Sequence, residues 1–148
     1  MKYKTATPED MKNAGKQIAS SLKGGDVVLL YGELGAGKTT FTQGLSEKLG
    51  VKETTTSPTF TLMNVYDIKP QKSRAKPRDI KTLVHIDTYR LKDQEDLIDT
   101  GITDYLGKKD TLCVIEWPDK IEDLLKNKKT IKISIEHTNG DTRRIKIT

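Results

Sequence analysis

The chain has 148 residues, 34% hydrophobic and 32% charged, with a formal net charge of +5. That length suits one domain with a single core, expected to span residues 1–148. No apolar run approaches the roughly 20 residues that a membrane helix needs. Cys113 is the single cysteine, so an intrachain disulfide is excluded. With no signal-peptide apolar stretch at the start, a cytoplasmic location is expected.

In chain order, residues 8–22 have the pattern of a helix. Thr7 can cap it, Pro8 suits its first turn, and Glu9 and Asp10 favour the positive end of its dipole. Met11, Ala14, Ile18 and Leu22 form an apolar stripe at helical spacing, which predicts core. The start of this helix is also a place where a bound base could lie, so Thr7 is a candidate contact. Gly24-Gly25 then turns the chain into Val27-Val28-Leu29-Leu30-Tyr31, an apolar run that suits a buried strand.

Directly after that strand comes Gly32-Glu33-Leu34-Gly35-Ala36-Gly37-Lys38-Thr39, the pattern of a phosphate-binding loop. A triphosphate carries dense negative charge and needs many donors at short range. Glycines at 32, 35 and 37 let successive backbone N–H groups converge on an anion. The helix that begins near Lys38 adds the positive end of its dipole. Lys38 is placed to reach the β- and γ-phosphates, and the Thr39 hydroxyl to bind Mg²⁺. Phe41, Leu45 and Leu49 continue at helical spacing, and Gly50 can end the helix.

Thr54-Thr55-Thr56-Ser57-Pro58-Thr59-Phe60 is polar and hydroxyl-rich. On composition it is a solvated loop; the alternative is a switch in which Ser57 or Thr59 senses the γ-phosphate or the metal. Residues 61–66 follow as a strand. Residues 68–81 form a basic connection with Pro70 and Pro77. Between Lys69 and Lys81 six cations face Asp79 alone, a net +5 equal to that of the whole chain. An exposed solvated connection is the plain reading, and a contact to a phosphate backbone or acidic partner is the sharper one.

Two further apolar runs end in an acid: Leu83-Val84-His85-Ile86-Asp87 and Leu112-Cys113-Val114-Ile115-Glu116. Nucleotide-loop proteins need an acid at a strand end beside the loop, to hold Mg²⁺ directly or through water. Asp87 and Glu116 are the candidates. His85, between Val84 and Ile86, is predicted to be a structural histidine, with no Cys/His cluster to support zinc. Residues 94–106 are predicted helical with a break at Gly101, and Asp119 to Leu125 as a short helix. Ile131, Ile133 and Ile135, then Asn139-Gly140, then Ile145 and Ile147 predict a β-hairpin.

Taken together, Leu34 to Thr40, Ser57-Pro58-Thr59-Phe60, His85-Ile86-Asp87-Thr88-Tyr89-Arg90 and Glu116-Trp117-Pro118-Asp119 resemble, in that order, the TsaE family. These are small ATPases of bacterial threonylcarbamoyladenosine tRNA modification. The resemblance runs from about Pro8 to the final hairpin. It implies a P-loop NTPase-like three-layer α/β fold, with a mostly parallel central sheet and antiparallel strands that include the C-terminal hairpin. It also implies ATP and Mg²⁺ as cofactors and a TsaD–TsaB complex as partner. A tRNA contact through residues 68–81 is a reading of that segment's charge and not of the resemblance.

By residue, the resemblance gives nucleotide contacts to Leu34, Gly35, Ala36, Gly37, Lys38, Thr39 and Thr40. Thr39 and Glu116 would hold Mg²⁺, and Asp87 would support the attacking water or the metal shell. Trp117 would lie near the nucleotide, and residues 57–60 would act as a switch. Two departures stand out. The family's usual basic residue after the hairpin-turn glycine is replaced here by Asp141, with Arg143 and Arg144 next. Either could take that place, and Arg144 is carried as a candidate nucleotide contact. The connection at 68–81 is also longer than the family's usual one.

Other readings make different demands. A small-molecule kinase would need an acceptor pocket and an arginine-bearing lid, for which only residues 68–81 are available. A GTPase would need a guanine-reading stretch. Asn127-Lys128-Lys129-Thr130 lacks the required aspartate and precedes a strand instead of following one. A pure binding module would use nucleotide occupancy without hydrolysis.

Overall fold

The computed structural model describes residues 1–53, 62–68 and 80–148. The strands are β1 (Lys2–Thr5), β2 (Val27–Tyr31), β3 (Met63–Asp67), β4 (Thr82–Asp87), β5 (Thr111–Glu116), β6 (Thr130–His137) and β7 (Arg143–Ile147). The α-helices are α1 (Pro8–Ala19), α2 (Lys38–Leu49) and α3 (Gln94–Ile98), with 3₁₀ segments at Ile102–Asp104 and Pro118–Leu125. The strands form one sheet in the order β1-β7-β6-β2-β5-β4-β3. β6, β2, β5 and β4 run parallel. β3 joins β4 antiparallel at one edge, and β7 and β1 extend the other edge antiparallel.

β2, β4 and β5 are buried on both faces, which explains their continuous apolar runs. One face packs Val28, Leu30, Leu83, Leu112 and Val114 against Met11, Ile18, Phe41, Leu45 and Leu49 of α1 and α2. The other packs Val27, Leu29, Val84, Ile86 and Ile115 under Leu97, Ile102 and Ile121. The result is the three-layer α/β arrangement expected, with a parallel centre and antiparallel edges.

α1 ends at Ala19, short of residue 22, because the chain turns through Ser20 to Lys23, where Asp26 Oδ2 accepts the Lys23 N–H at 2.9 Å. The predicted helix over 94–106 is α3 followed by a 3₁₀ turn, divided at Gly101 with φ 87°. β1 was not anticipated: Lys-Tyr-Lys-Thr on a sheet edge carries too little apolar alternation to announce a strand. Residues 57–60, and 69–79 of the basic connection, lie outside the described residues.

Candidate functional site

The loop between β2 and α2 turns through Gly35 and Gly37 at φ 78° and 110°, a region that a side chain resists. Gly37 is the residue before the first turn of α2 and supplies no side-chain cap. The first N–H groups of an α-helix have no partner within it. In α1 that need is met by a capping box, with Thr7 Oγ1 accepting from Asp10 N at 3.1 Å and Asp10 Oδ2 from Thr7 N at 3.2 Å. In α2 no side-chain cap meets it, and such a helix start is a site where an anion can bind.

Lys38 is buried and folds back over the loop, donating to the carbonyl of Gly32 and, at 3.1 Å, to that of Glu33. Its Nζ lies 4.2 Å from the centroid of the Trp117 ring, a cation–π contact. Burial pulls its pKa below the usual lysine value, and the carboxylates of Glu116 and Asp87 oppose that shift. The three charged candidates therefore share one electrostatic environment.

Strand geometry brings them there. Asp87 and Glu116 are register partners at the ends of β4 and β5, and Glu116 aligns with Leu30 of β2 just before the loop. Alternation along each strand puts Leu83, His85 and Asp87, and likewise Leu112, Val114 and Glu116, on the face that α2 covers. Asp87 Oδ1 accepts the Tyr89 N–H at 2.9 Å. Glu116 is buried, and its Oε2 lies 2.6 Å from Nε2 of the fully buried His85. The histidine is thus buried in the core, and its partner is one of the candidate acids. Trp117 adopts a left-handed conformation, φ 59° and ψ 55°. It is held by its N–H to the Leu30 carbonyl at 3.3 Å and by the Thr88 hydroxyl, which donates to the carbonyl of Trp117. The Tyr89 ring lies 5.0 Å from that of Trp117.

A hollow of about 400 Å³ is walled by Thr7, Pro8, Met11, Gly35, Ala36, Gly37, Thr40, Asp141 and Arg143. Pockets of this size accept small ligands. The candidates thus fall into two groups. Thr7, Gly35, Ala36, Gly37 and Thr40 line the hollow, while Lys38, Asp87, Glu116 and Trp117 gather at the strand ends. Thr39 is half-buried in the first turn of α2, and the Leu34 side chain is exposed at the tip of the loop.

Arg144 requires a correction. It lines a separate hollow with Lys2, Lys4 and Asn139, because the two-residue period of β7 points it away from Ile145 and the α1–α2 side. Arg143 is the arginine at the loop: its Nη2 donates to the Gly35 carbonyl at 3.4 Å and its Nη1 to the Asp141 carbonyl at 2.7 Å. The isoleucines at 145 and 147 already set this phase, so the alternation held the signal.

Among the described residues no group of three or more His, Cys, Asp or Glu side chains could cage a metal ion. Magnesium bound with a nucleotide needs only one or two protein oxygens, completed by phosphates and water. Glu116 and the Thr39 hydroxyl are donors of the right kind.

Comparison with known proteins bears on the family and the fold. The family model described as "Threonylcarbamoyl adenosine biosynthesis protein TsaE" matches residues 5–145. The curated tRNA threonylcarbamoyladenosine biosynthesis protein TsaE of Bacillus subtilis is 36% identical over 148 residues, covering 100% of this chain and 85% of its own. Its namesake from Streptomyces coelicolor is 39% identical over 138 residues, covering 89% and 82%. That of Treponema pallidum is 35% identical over 147 residues, covering 99% of each. The crystal structure of Bacillus subtilis YdiB superposes with a TM-score of 0.70 at 33% identity, covering 98% of this chain and 82% of that one. A match that runs from Thr5 at the end of β1 to Ile145 in β7, and so takes in the glycine loop and both strand-end acids, makes this chain a member of the TsaE family.

Proposed function

We propose that this chain is a Mg²⁺-dependent ATP-binding and ATP-hydrolysing subunit of tRNA threonylcarbamoyladenosine biosynthesis. It acts in the cytoplasm with TsaD and TsaB on the modification of adenosine 37. The observation that carries the reading is the convergence on one loop of a buried lysine, two strand-end carboxylates and an uncapped helix start.

In this reading the N–H groups at the start of α2 and the Lys38 ammonium bind the phosphates. The hollow beside Thr7 and Arg143 takes the base and sugar. Thr39 and Glu116 hold Mg²⁺, which when bound neutralises charge on the phosphoryl oxygens. Asp87 orients the attacking water. The Trp117 ring, already stacked on Lys38, closes over the same charge. Turnover is slow in isolation, since a trans-acting cation at the γ-phosphate is worth a factor of roughly 10³–10⁵.

The test is steady-state ATP hydrolysis by the purified chain with and without the TsaD–TsaB pair, with a coupled assay for transfer to a nucleoside. Slow hydrolysis stimulated by the pair is expected. Rapid hydrolysis that the pair does not change, or phosphate transfer to a nucleoside, overturns the reading.

A further inference from the structure

Glu116 is buried, and among the described residues its carboxylate is hydrogen-bonded to the ring of His85. The imidazole is fully buried, its Nε2 lies 2.6 Å from Glu116 Oε2, and its Nδ1 has no hydrogen-bond partner among the described residues. An N–H on Nδ1 would lack an acceptor, which folded proteins avoid more strictly than an unpaired acceptor. The arrangement therefore fits the tautomer with the N–H on Nε2, donating to Glu116 Oε2.

Such a donor fixes the carboxylate without cancelling its charge. A lysine or arginine in the same place would neutralise Glu116 and compete with any cation that approached it. His85 occupies one oxygen and leaves the other, Oε1, for a second partner. The backbone is tied at the same point: the Thr88 N–H donates to the Glu116 carbonyl at 3.1 Å, and the Thr88 hydroxyl is shared between that carbonyl and the one of Trp117. Both the head and the stem of Glu116 are thus held by residues of the β4 end.

We propose that His85 is a positioning residue that presents the Glu116 carboxylate to a divalent cation arriving with the nucleotide. The inference rests on the reading above, in which Glu116 holds Mg²⁺. Hydrogen bonds that orient a metal-binding side chain commonly contribute a factor of about 10–100 in metal affinity.

The sole tryptophan, Trp117, is the reporter, since it follows Glu116 and stacks on Lys38. Its fluorescence is followed while MgCl₂ is titrated into the protein with saturating ADP, and while ADP is titrated in EDTA. His85→Leu removes the donor, and His85→Gln places an amide N–H near the position of Nε2. His85→Leu is expected to need about 10–100 times more Mg²⁺ for the half-maximal change, with His85→Gln restoring most of the loss and ADP affinity in EDTA equal in all three proteins. If His85→Leu does not fold, His85→Asn replaces it, because its shorter side chain cannot reach Oε2. An unchanged Mg²⁺ midpoint in the donor-less variant overturns the inference. So does an equal loss of Mg²⁺ and metal-free ADP binding that His85→Gln does not restore, since that marks a packing role alone. A wild-type protein that shows no Mg²⁺-dependent signal overturns the proposed function as well.

Discussion

Lys38 is the residue at which stability and function pull apart. Its ammonium is buried, and burial depresses its pKa despite two nearby carboxylates. A lysine with a depressed folded-state pKa is a cost while it stays protonated, and that cost fades as pH rises from the folded value towards the ordinary 10.5. Without nucleotide, the melting temperature of Lys38→Ala relative to wild type is therefore expected to be highest near neutral pH and to fall as pH approaches 10.5. The same variant should lose the Trp117 fluorescence response to ATP. A pH-independent difference in melting would show that the buried charge has no such cost. Asp87 offers the opposite separation. Its Oδ1 caps the Tyr89 N–H, an acceptor that asparagine keeps. Asp87→Asn should thus bind ATP as wild type does and hydrolyse it about 10²–10⁴ times more slowly, the range for loss of a general base. Equal losses of binding and turnover would assign Asp87 to ground-state binding instead.

Helices α1 and α2 set the shape of the hollow, and two glycines set their separation. A Cβ on Gly15 would overlap the Phe41 carbonyl, and one on Gly44 the Lys12 carbonyl, so the helices touch backbone to backbone. Lys12 and Lys16 of α1 both pair with Glu47 of α2, at 3.4 and 3.2 Å, along the exposed side of the contact. Gly44→Ala is expected to destabilise the protein by about 1–3 kcal/mol through overpacking. That outweighs the gain of about 1 kcal/mol in helix propensity. Because Thr7, which caps α1, and Met11 within it wall the hollow, ATP affinity should fall along with the melting temperature. A stabilised Gly44→Ala would mean that α1 shifts freely. Much of this level was legible in the sequence, for local reasons. The glycine loop, the stripe of Phe41, Leu45 and Leu49, the apolar runs that end in Asp87 and Glu116, and the Asn139-Gly140 turn each announce themselves within a few residues. What needed three dimensions was pairing between distant elements. That His85 reaches Glu116 depends on the β4–β5 register, and that Gly44 meets Lys12 depends on helix packing, neither of which a local pattern contains.

At the scale of the whole molecule, charge is distributed less simply than the sequence total suggests. Residues 69–81 hold a net +5, which leaves the remainder of the chain neutral. Neutral in sum does not mean evenly spread. On the face of β1, β7 and β6 turned away from α1 and α2, Lys2, Lys4, Lys132, Arg144 and Lys146 are all exposed with Glu136. The apolar cluster on that side of the sheet draws no residue from these three strands. Lysines on the edge strand β1 also discourage edge-to-edge pairing with another chain, an ordinary reason for their presence. The two basic regions make a controlled comparison, because four charges can be removed from either and both variants carry the same net +1. Replacing Lys72, Arg74, Lys76 and Arg78 with glutamine is expected to weaken binding to tRNA or to the partner complex without changing ATP affinity. Replacing Lys2, Lys4, Arg144 and Lys146 should leave both unchanged. For a contact to RNA phosphates, each lost charge lowers the salt slope of binding by roughly 0.7–0.9, so a four-charge contact loses about 3. Equal weakening by both variants would mean that net charge, not a defined contact, drives association. A salt-independent affinity in the wild type would remove the case for a phosphate contact by residues 69–81 altogether.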